Sequence, residues 1–253
     1  LTTLMSAGIR EILIITTPSD QNLFKNILGD GKKWGMKISY EIQVNPDGIA
    51  QAFIIGSSFL KDSNVVLILG DNLFHGENLT EHFSRSMKKE LGATVFAYPV
   101  RDPERYGVIE FDKKGEIIGI DEKPEKPKSR YAITGIYFYD NKVVDYVRQL
   151  TPSKRGELEI TDLNMIYLKK GLLNVETMGR GIAWLDTGNH DSLFEASGYI
   201  RTIEKRQGFK VGCPEEVAWT NGWISDTDLE LEAKRQLKSG YGDYLIQLIE
   251  SKL

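Results

Sequence analysis

Carboxylates placed at the ends of apolar runs are the residues of this sequence best suited to chemistry. Val65-Val-Leu-Ile-Leu69 is followed at once by Gly70, Asp71 and Asn72. Glycine there permits close approach of a ligand, and an aspartate at a strand tip offers the hard oxygen that magnesium prefers. Ala183-Trp-Leu-Asp-Thr-Gly188 repeats the logic with Asp186. Two such aspartates on separate strands can converge on one cation; equally, each can cap the turn after its strand. The stretch Gln43-Val-Asn-Pro-Asp-Gly48 suits the reading of a base. A primary amide presents donor and acceptor together, and Pro46 and Gly48 shape a backbone that exposes its own polar groups; an ordinary turn before a helix is the competing reading. Glu122-Lys123 stands before Pro124. Its carboxylate can accept sugar hydroxyls and its ammonium can neutralise a phosphate, or the two form a solvated surface pair. Arg155, in Lys154-Arg-Gly-Glu157, is an anion clamp or an exposed loop charge. The three histidines, His75, His82 and His190, have no metal-ligand spacing, and no Gly-x-Ser-x-Gly elbow supports esterase chemistry.

The elements that must hold these residues alternate. Short apolar runs at 11–16 and 65–69 read as strands buried on both faces, as in a parallel sheet. Further strands fall near 37–44 and 94–100, with helices at 20–28, 49–60 and 79–91 between them. This order predicts an α/β fold with a Rossmann-like mixed, mostly parallel sheet flanked by helices. The middle changes rhythm. Val108-Ile-Glu-Phe111 and Glu116-Ile-Ile-Gly-Ile120 flank the turn Asp112-Lys-Lys-Gly115, which reads as a hairpin and marks a small β-rich insertion. Strands at 132–139, 173–177 and 182–186 follow, with helices near 142–150 and 191–207 and one that the segment 156–163 leads into and that ends near Gly171. Residues 1–212 read as the α/β core and 213–253 as a helical C-terminal part.

Composition narrows the classes further. Against 36 Asp+Glu stand 32 Lys+Arg, for a formal charge of −4, which argues against a protein held to nucleic acid by phosphate neutralisation. With 41% hydrophobic and 27% charged residues the chain has the makings of a sizeable core. No apolar run approaches the roughly 20 residues of a spanning helix, and no signal-peptide pattern is present. The one cysteine, Cys213, has no internal disulfide partner, which fits a cytoplasmic protein.

Taken in order, Pro46-Asp-Gly-Ile-Ala-Gln51, Leu69-Gly-Asp-Asn72, Asp102-Pro-Glu-Arg-Tyr-Gly-Val108, Glu122-Lys-Pro124, Arg155-Gly-Glu-Leu-Glu-Ile-Thr-Asp162 and Trp184-Leu-Asp-Thr-Gly188 resemble the sugar-phosphate nucleotidylyltransferases, specifically the glucose-1-phosphate thymidylyltransferase family. Each motif is weak alone; the ordered set is specific and spans essentially the whole chain. The resemblance implies transfer of a thymidylyl group from dTTP to glucose 1-phosphate, giving dTDP-glucose and pyrophosphate, with Mg as cofactor, for deoxysugar biosynthesis of the dTDP-rhamnose type. It implies Asp71 and Asp186 as metal aspartates; Gln43, Pro46, Gly48 and Asp71 at the nucleotide; and Gly107, Glu122, Lys123 and Tyr137 at the sugar phosphate. Lys123, Arg155, Asp71 and Asp186 then form the catalytic set, with Arg155 binding phosphate. The β-rich insertion becomes the sugar-binding part, and the C-terminal helices the subunit contacts of a homotetramer subject to feedback by a dTDP-sugar.

One departure accompanies the match. The family opens with a strand and a Gly-rich loop, G-G-x-G-T-R-L, whose amides and arginine hold the triphosphate. The sequence begins at Leu1 without that signature, so about 40 residues are expected to be missing and the 253 residues alone are expected to have little transferase activity. Two other readings remain open: a relative that uses CTP or UTP, and a non-catalytic sugar-nucleotide-binding subunit.

Overall fold

A computed structural model describes residues 1–251. Contacts divide the chain into two compact units, Leu1–Ile42 with Ile200–Leu253, and Gln43–Tyr199.

In the first unit, β1 (Glu11–Thr16) and β2 (Lys37–Ile42) pair in parallel, Glu11 opposite Lys37 through Thr16 opposite Ile42. The crossover between them is the helix Gln21–Leu28 and a 3-10 turn, Lys32–Trp34. Buried Trp34 donates its indole N–H to the buried carboxylate of Glu215 at 3.0 Å, which ties the crossover to the helix Pro214–Thr220. That helix and its successors, Asp226–Arg235 and Tyr241–Ser251, close on Cys213, Leu229, Ala233, Tyr244, Leu245 and Leu248. Ser225 opens the middle helix with a reciprocal capping box. Its hydroxyl accepts from the Asp228 N–H at 3.2 Å, and the Asp228 carboxylate accepts from the Ser225 N–H at 2.9 Å.

The second unit carries β3 (Val65–Ile68), β4 (Asn72–Gly76), β5 (Ala93–Pro99), β6 (Gly107–Phe111), β7 (Ile117–Glu122), β8 (Tyr131–Tyr139), β9 (Leu173–Thr177) and β10 (Ile182–Asp186). β8 is its hub. β5 runs antiparallel along one edge of β8, while β3 pairs with the C-terminal half of the other edge and β6 touches it at Ala132. Eight of the nine β8 residues are buried, consistent with that central place. β9 joins β5 in parallel, and β6 and β7 form the expected hairpin. Its turn closes because Asp112 Oδ1 accepts from the N–H groups of Lys114 and Glu116, both at 2.8 Å, and Gly115 takes φ +84°. Beneath the sheet the helix Ile160–Lys169 buries Leu163 and Tyr167, whose hydroxyl donates to buried Asp140 at 2.8 Å.

The α/β class stands as read from the sequence, but the pairing departs from a mostly parallel sheet. Among the described residues only β1–β2 and β5–β9 are parallel; the rest are antiparallel. The reason is local. Short connections such as the 112–115 turn cannot provide the long crossover that parallel neighbours require. The runs at 11–16 and 65–68 are half-buried rather than buried on both faces. Each has a single strand partner among the described residues, β2 for one and β8 for the other. The helix expected at 49–60 divides at Gly56 into Gln51–Ile55 and Ser57–Leu60. No described helix is long and apolar enough to cross a membrane.

Ser225→Ala removes the acceptor for Asp228 N–H, and a urea unfolding curve is expected to register a loss of about 1 kcal/mol, the usual worth of a serine cap.

Candidate functional site

Every candidate site residue lies in the second unit. The stretch after β3 does not stop at Asp71. It turns, Asn72 N–H donating to Leu69 O at 3.2 Å, and re-enters as β4, which pairs antiparallel with β10. Asn72 stands opposite Asp186 in that register. The pairing brings the two aspartates together. A Cβ placed on Gly188 would lie 3.2 Å from Asp186 Oδ1 and 3.3 Å from Asp71 Oδ2, so both carboxylates flank one glycine. Thr187 closes the corner, its N–H and hydroxyl donating to Asp71 O at 2.9 and 2.7 Å. Asp71 is exposed and Asp186 half-buried, so both can reach a ligand.

Asn72 fixes this corner to the hub strand. Its Oδ1 accepts from Trp184 Nε1 at 2.6 Å and from the Gly135 N–H at 3.0 Å, while its Nδ2 donates to Asp71 Oδ1 at 2.9 Å. Glycine is required at 135: a Cβ there would fall 2.4 Å from Asn72 Oδ1. Trp184 is walled by Tyr98 and Tyr106, with ring centroids at 5.8 and 5.0 Å. Burial pushes the Tyr106 phenol up to about 12; Arg105 works against that shift, while the carboxylates of Asp186 and Asp102 add to it. The ring therefore stays protonated beside Asp186. Arg105 spans Asp102 and Asp186, at 2.9 and 3.8 Å.

The second cluster sits at the open end of the β6–β7 hairpin. Gly107 is opposite Glu122, and a Cβ at 107 would meet Thr161 Oγ1 at 3.1 Å and Glu122 Oε2 at 3.5 Å. Thr161 donates its hydroxyl to Glu122. The charge of the same carboxylate reaches Tyr137. Burial first, then the charge of Glu122, holds its phenol well above the ordinary range. Lys123 is exposed and adopts φ +44°, a left-handed conformation that costs energy for a residue with a side chain and that clusters at functional sites. Its N–H donates to Tyr106 O at 3.0 Å, which joins this cluster to the aspartate corner.

The third element is the 43–51 loop. Gln43 Nε2 donates to Gly48 O at 3.1 Å and to Gln51 Oε1 at 2.7 Å, and Gln51 in turn donates to Asp47 at 2.8 Å. Gly48, at φ +101°, lies so close to Leu158 that a Cβ would come 2.4 Å from its carbonyl oxygen. Leu158 N–H donates to Asp47 O at 2.7 Å, which docks the loop beside Arg155, Glu157 and Glu159. Arg155 is engaged by carboxylates, with Glu159 accepting from Nε at 3.1 Å and from Nη2 at 2.7 Å.

The arrangement thus joins Asp71 and Asp186 at one corner and Gly107, Glu122, Lys123, Tyr137 and Arg155 at another, with Gln43, Pro46 and Gly48 on the loop that reaches Arg155's neighbours. Sequence reasoning singled out neither Asn72 nor Thr161, Glu159 or Tyr106 as site residues. Asn72 adjoins Asp71, but its part depends on contacts with Trp184 and Gly135 that no spacing encodes.

Comparison with known proteins bears on the reaction class. Residues 1–202 match the family described as nucleotidyl transferase. A glucose-1-phosphate thymidylyltransferase of Xanthomonas campestris pv. campestris (strain B100) is 57% identical over 248 residues, 98% of this chain and 84% of that one. The chain belongs to the nucleotidyl transferase family. A glucose-1-phosphate thymidylyltransferase of Mycolicibacterium smegmatis is 52% identical over 250 residues, 99% of this nucleotidyl transferase and 86% of the relative. A Bacillus anthracis structure solved with a sucrose, provisionally assigned as a glucose-1-phosphate thymidylyltransferase, has 41% identity and a TM-score of 0.71, covering 79% of each chain.

Two outcomes test the geometry of this nucleotidyl transferase. Gly135→Ala is expected to displace Asn72 and lower unfolding stability by about 1–3 kcal/mol, as overpacking of a tight site does, read from the urea midpoint. Burial alone would raise the Glu159 carboxyl, but the hydrogen bonds from Arg155 and Ser153 and the charges of Arg155 and Lys123 outweigh it and hold it below the ordinary 4.5. A lowered carboxyl stabilises the fold above its unfolded value and loses that contribution as pH falls. The stability gap between the wild type and Glu159→Gln is therefore expected to be full near neutrality and to narrow below pH 4.5 in acid titrations of the unfolding midpoint.

Proposed function

We propose that this nucleotidyl transferase joins dTTP to glucose 1-phosphate, giving dTDP-glucose and pyrophosphate, as a supplier of dTDP-rhamnose-type deoxysugar synthesis in the cytoplasm. The observation that carries the reading is the meeting of Asp71 and Asp186 across the β4–β10 pair, on a chain whose relatives at 52% and 57% identity bear that enzyme's name.

The two aspartates are suited to magnesium. No group of three or more His, Cys, Asp or Glu side chains suitable for a metal occurs among the described residues. Magnesium commonly takes one or two carboxylates and completes its shell with water and substrate phosphates, so a pair of aspartates at an open corner fits it. When bound there it supplies charge neutralisation for the nucleotide phosphates. The protein's own residues do the positioning. Glu122, oriented by Thr161, accepts hydroxyls of the hexose, and Gly107 leaves room for the ring. Lys123 and Arg155 neutralise the sugar phosphate, whose oxygen attacks the α-phosphorus in line; the bond to the pyrophosphate oxygen breaks. Such a reaction needs little covalent help and much alignment and charge compensation. Gln43 reads the thymine from a loop already fixed by its bonds to Gly48 and Gln51. The C-terminal helices provide contacts for a homotetramer, and a dTDP-sugar acts as feedback effector.

Two measurements check the reading. In calorimetry with the 253-residue chain, dTDP-glucose is expected to bind more tightly than UDP-glucose or CDP-glucose, without any need for turnover; a reversed order would replace thymine by another base. In pyrophosphate-release assays, whatever the absolute rate, dTTP is expected to exceed CTP and UTP in kcat/KM. Asp186→Asn is expected to lower kcat about a hundredfold or more, the size of several kcal/mol of lost charge stabilisation.

A further inference from the structure

Arg155 stands among more negative charge than it can balance. Its Nη2 lies 2.7 Å from Glu159 Oε2, 3.3 Å from Glu157 Oε2 and 3.7 Å from Glu122 Oε1. Three carboxylates surround one guanidinium, and the charge of Lys123 also acts on Glu159. A phosphate dianion entering such a pocket meets net repulsion unless one carboxylate gives way.

The three acids are not equally free to move. The Glu159 side chain is only 9% exposed and grips the arginine through both Nε and Nη2, and its Oε1 also accepts the Ser153 hydroxyl at 2.6 Å. Bidentate pairing of this kind sets the plane of a guanidinium as well as its place. Glu122, the last residue of β7, is committed to Thr161. Glu157 differs: its side chain is 36% exposed and its one contact with the arginine is long. The backbone around it is closed, with Ser153 N–H donating to Glu157 O at 2.9 Å and Leu158 N–H to Asp47 O at 2.7 Å. Only its side chain is free to rotate away.

We infer that Arg155 works by anion exchange: buried Glu159 is the positioning residue that holds the guanidinium, and Glu157 is an internal stand-in anion that the sugar phosphate displaces. The inference rests on the reading of Arg155 as a sugar-phosphate contact. Displacement costs one exposed ion pair and returns Glu157 to water, where its charge is solvated; the phosphate gains a guanidinium already oriented. Glu157 thereby keeps the arginine from other anions while the pocket is vacant and weakens phosphate binding by the same amount.

Titration calorimetry of the 253-residue chain with glucose 1-phosphate, and with methyl glucoside as a phosphate-free control, separates the parts. Glu157→Gln is expected to tighten glucose 1-phosphate binding about threefold, the scale of one exposed ion pair. Glu159→Gln is expected to weaken it about tenfold, the scale of one charge-assisted hydrogen bond. Neither change is expected to alter methyl glucoside binding, whereas a loss of packing would weaken both ligands. Unchanged or weaker glucose 1-phosphate binding by Glu157→Gln overturns the exchange, and because Glu157 is partly exposed this arm does not depend on the fold tolerating the buried change. Arg155→Ala separates the two levels of argument. If it leaves glucose 1-phosphate affinity unaltered, the phosphate role of Arg155 itself fails; if it weakens affinity while Glu157→Gln does not tighten it, that role stands and only the exchange is lost.

Discussion

The antiparallel pairing of Asn72–Gly76 with Ile182–Asp186 is the constraint on which the site depends. Asp71 and Asp186 are far apart in sequence, and each is an ordinary acidic residue at the edge of an apolar run. Register alone makes them neighbours. A slip of one residue would turn alternate side chains to the opposite face and separate the carboxylates. The pairing is held across the two strands by Trp184 and from the hub strand by the Gly135 N–H, which converge on Asn72 Oδ1. Buried Phe74 and Trp184, opposite one another in the register, add the apolar contact that resists slippage.

The same logic extends along Tyr131–Tyr139. This strand is nearly all buried, so its backbone is a rigid reference for the groups around it. Gly135 meets Asn72 on behalf of the aspartate corner, and Tyr137, two residues on, feels the charge of Glu122. One short stretch of one strand thus addresses both clusters. Tyr106 completes the bridge, packing on Trp184 and accepting the Lys123 N–H at its carbonyl. The left-handed Lys123 is held at its non-glycine φ by that bond and by the hairpin before it.

What was legible in the sequence was the chemistry of single residues and the order of elements. Asp71 and Asp186 were visible because a carboxylate after an apolar run is conspicuous, and the β6–β7 hairpin because Asp112 and Gly115 make its turn by local bonds. What escaped was everything that depends on long-range contact. The strand Asn72–Gly76 is short, and its first residue reads as the end of the preceding run; it becomes a strand only because Ile182–Asp186 lies beside it. The runs at 11–16 and 65–68 looked fully buried because hydrophobicity reports what a segment can bury, whereas the neighbours actually present determine what it does bury. The predominance of antiparallel pairing escaped for a similar reason, since alternation of strands and helices constrains order more tightly than direction.

The charge of the site follows a rule that the residue types alone obscure. Its cations, Arg105, Lys123 and Arg155, suggest a pocket prepared for phosphate, yet Arg105 is spanned by Asp102 and Asp186, and Arg155 is ringed by Glu122, Glu157 and Glu159. A free guanidinium at the surface would bind any anion and sample many rotamers; one already paired is ordered before substrate arrives. Because orientation is a principal contribution a protein can make to phosphoryl chemistry, prior pairing moves much of the ordering cost into folding. On the proposed roles of Arg155 and Glu122, the consequence is selectivity by exchange: a small singly charged anion gains little over the carboxylate it replaces, whereas a sugar phosphate would bring two charges to the arginine and hydroxyls to Glu122 at the same time.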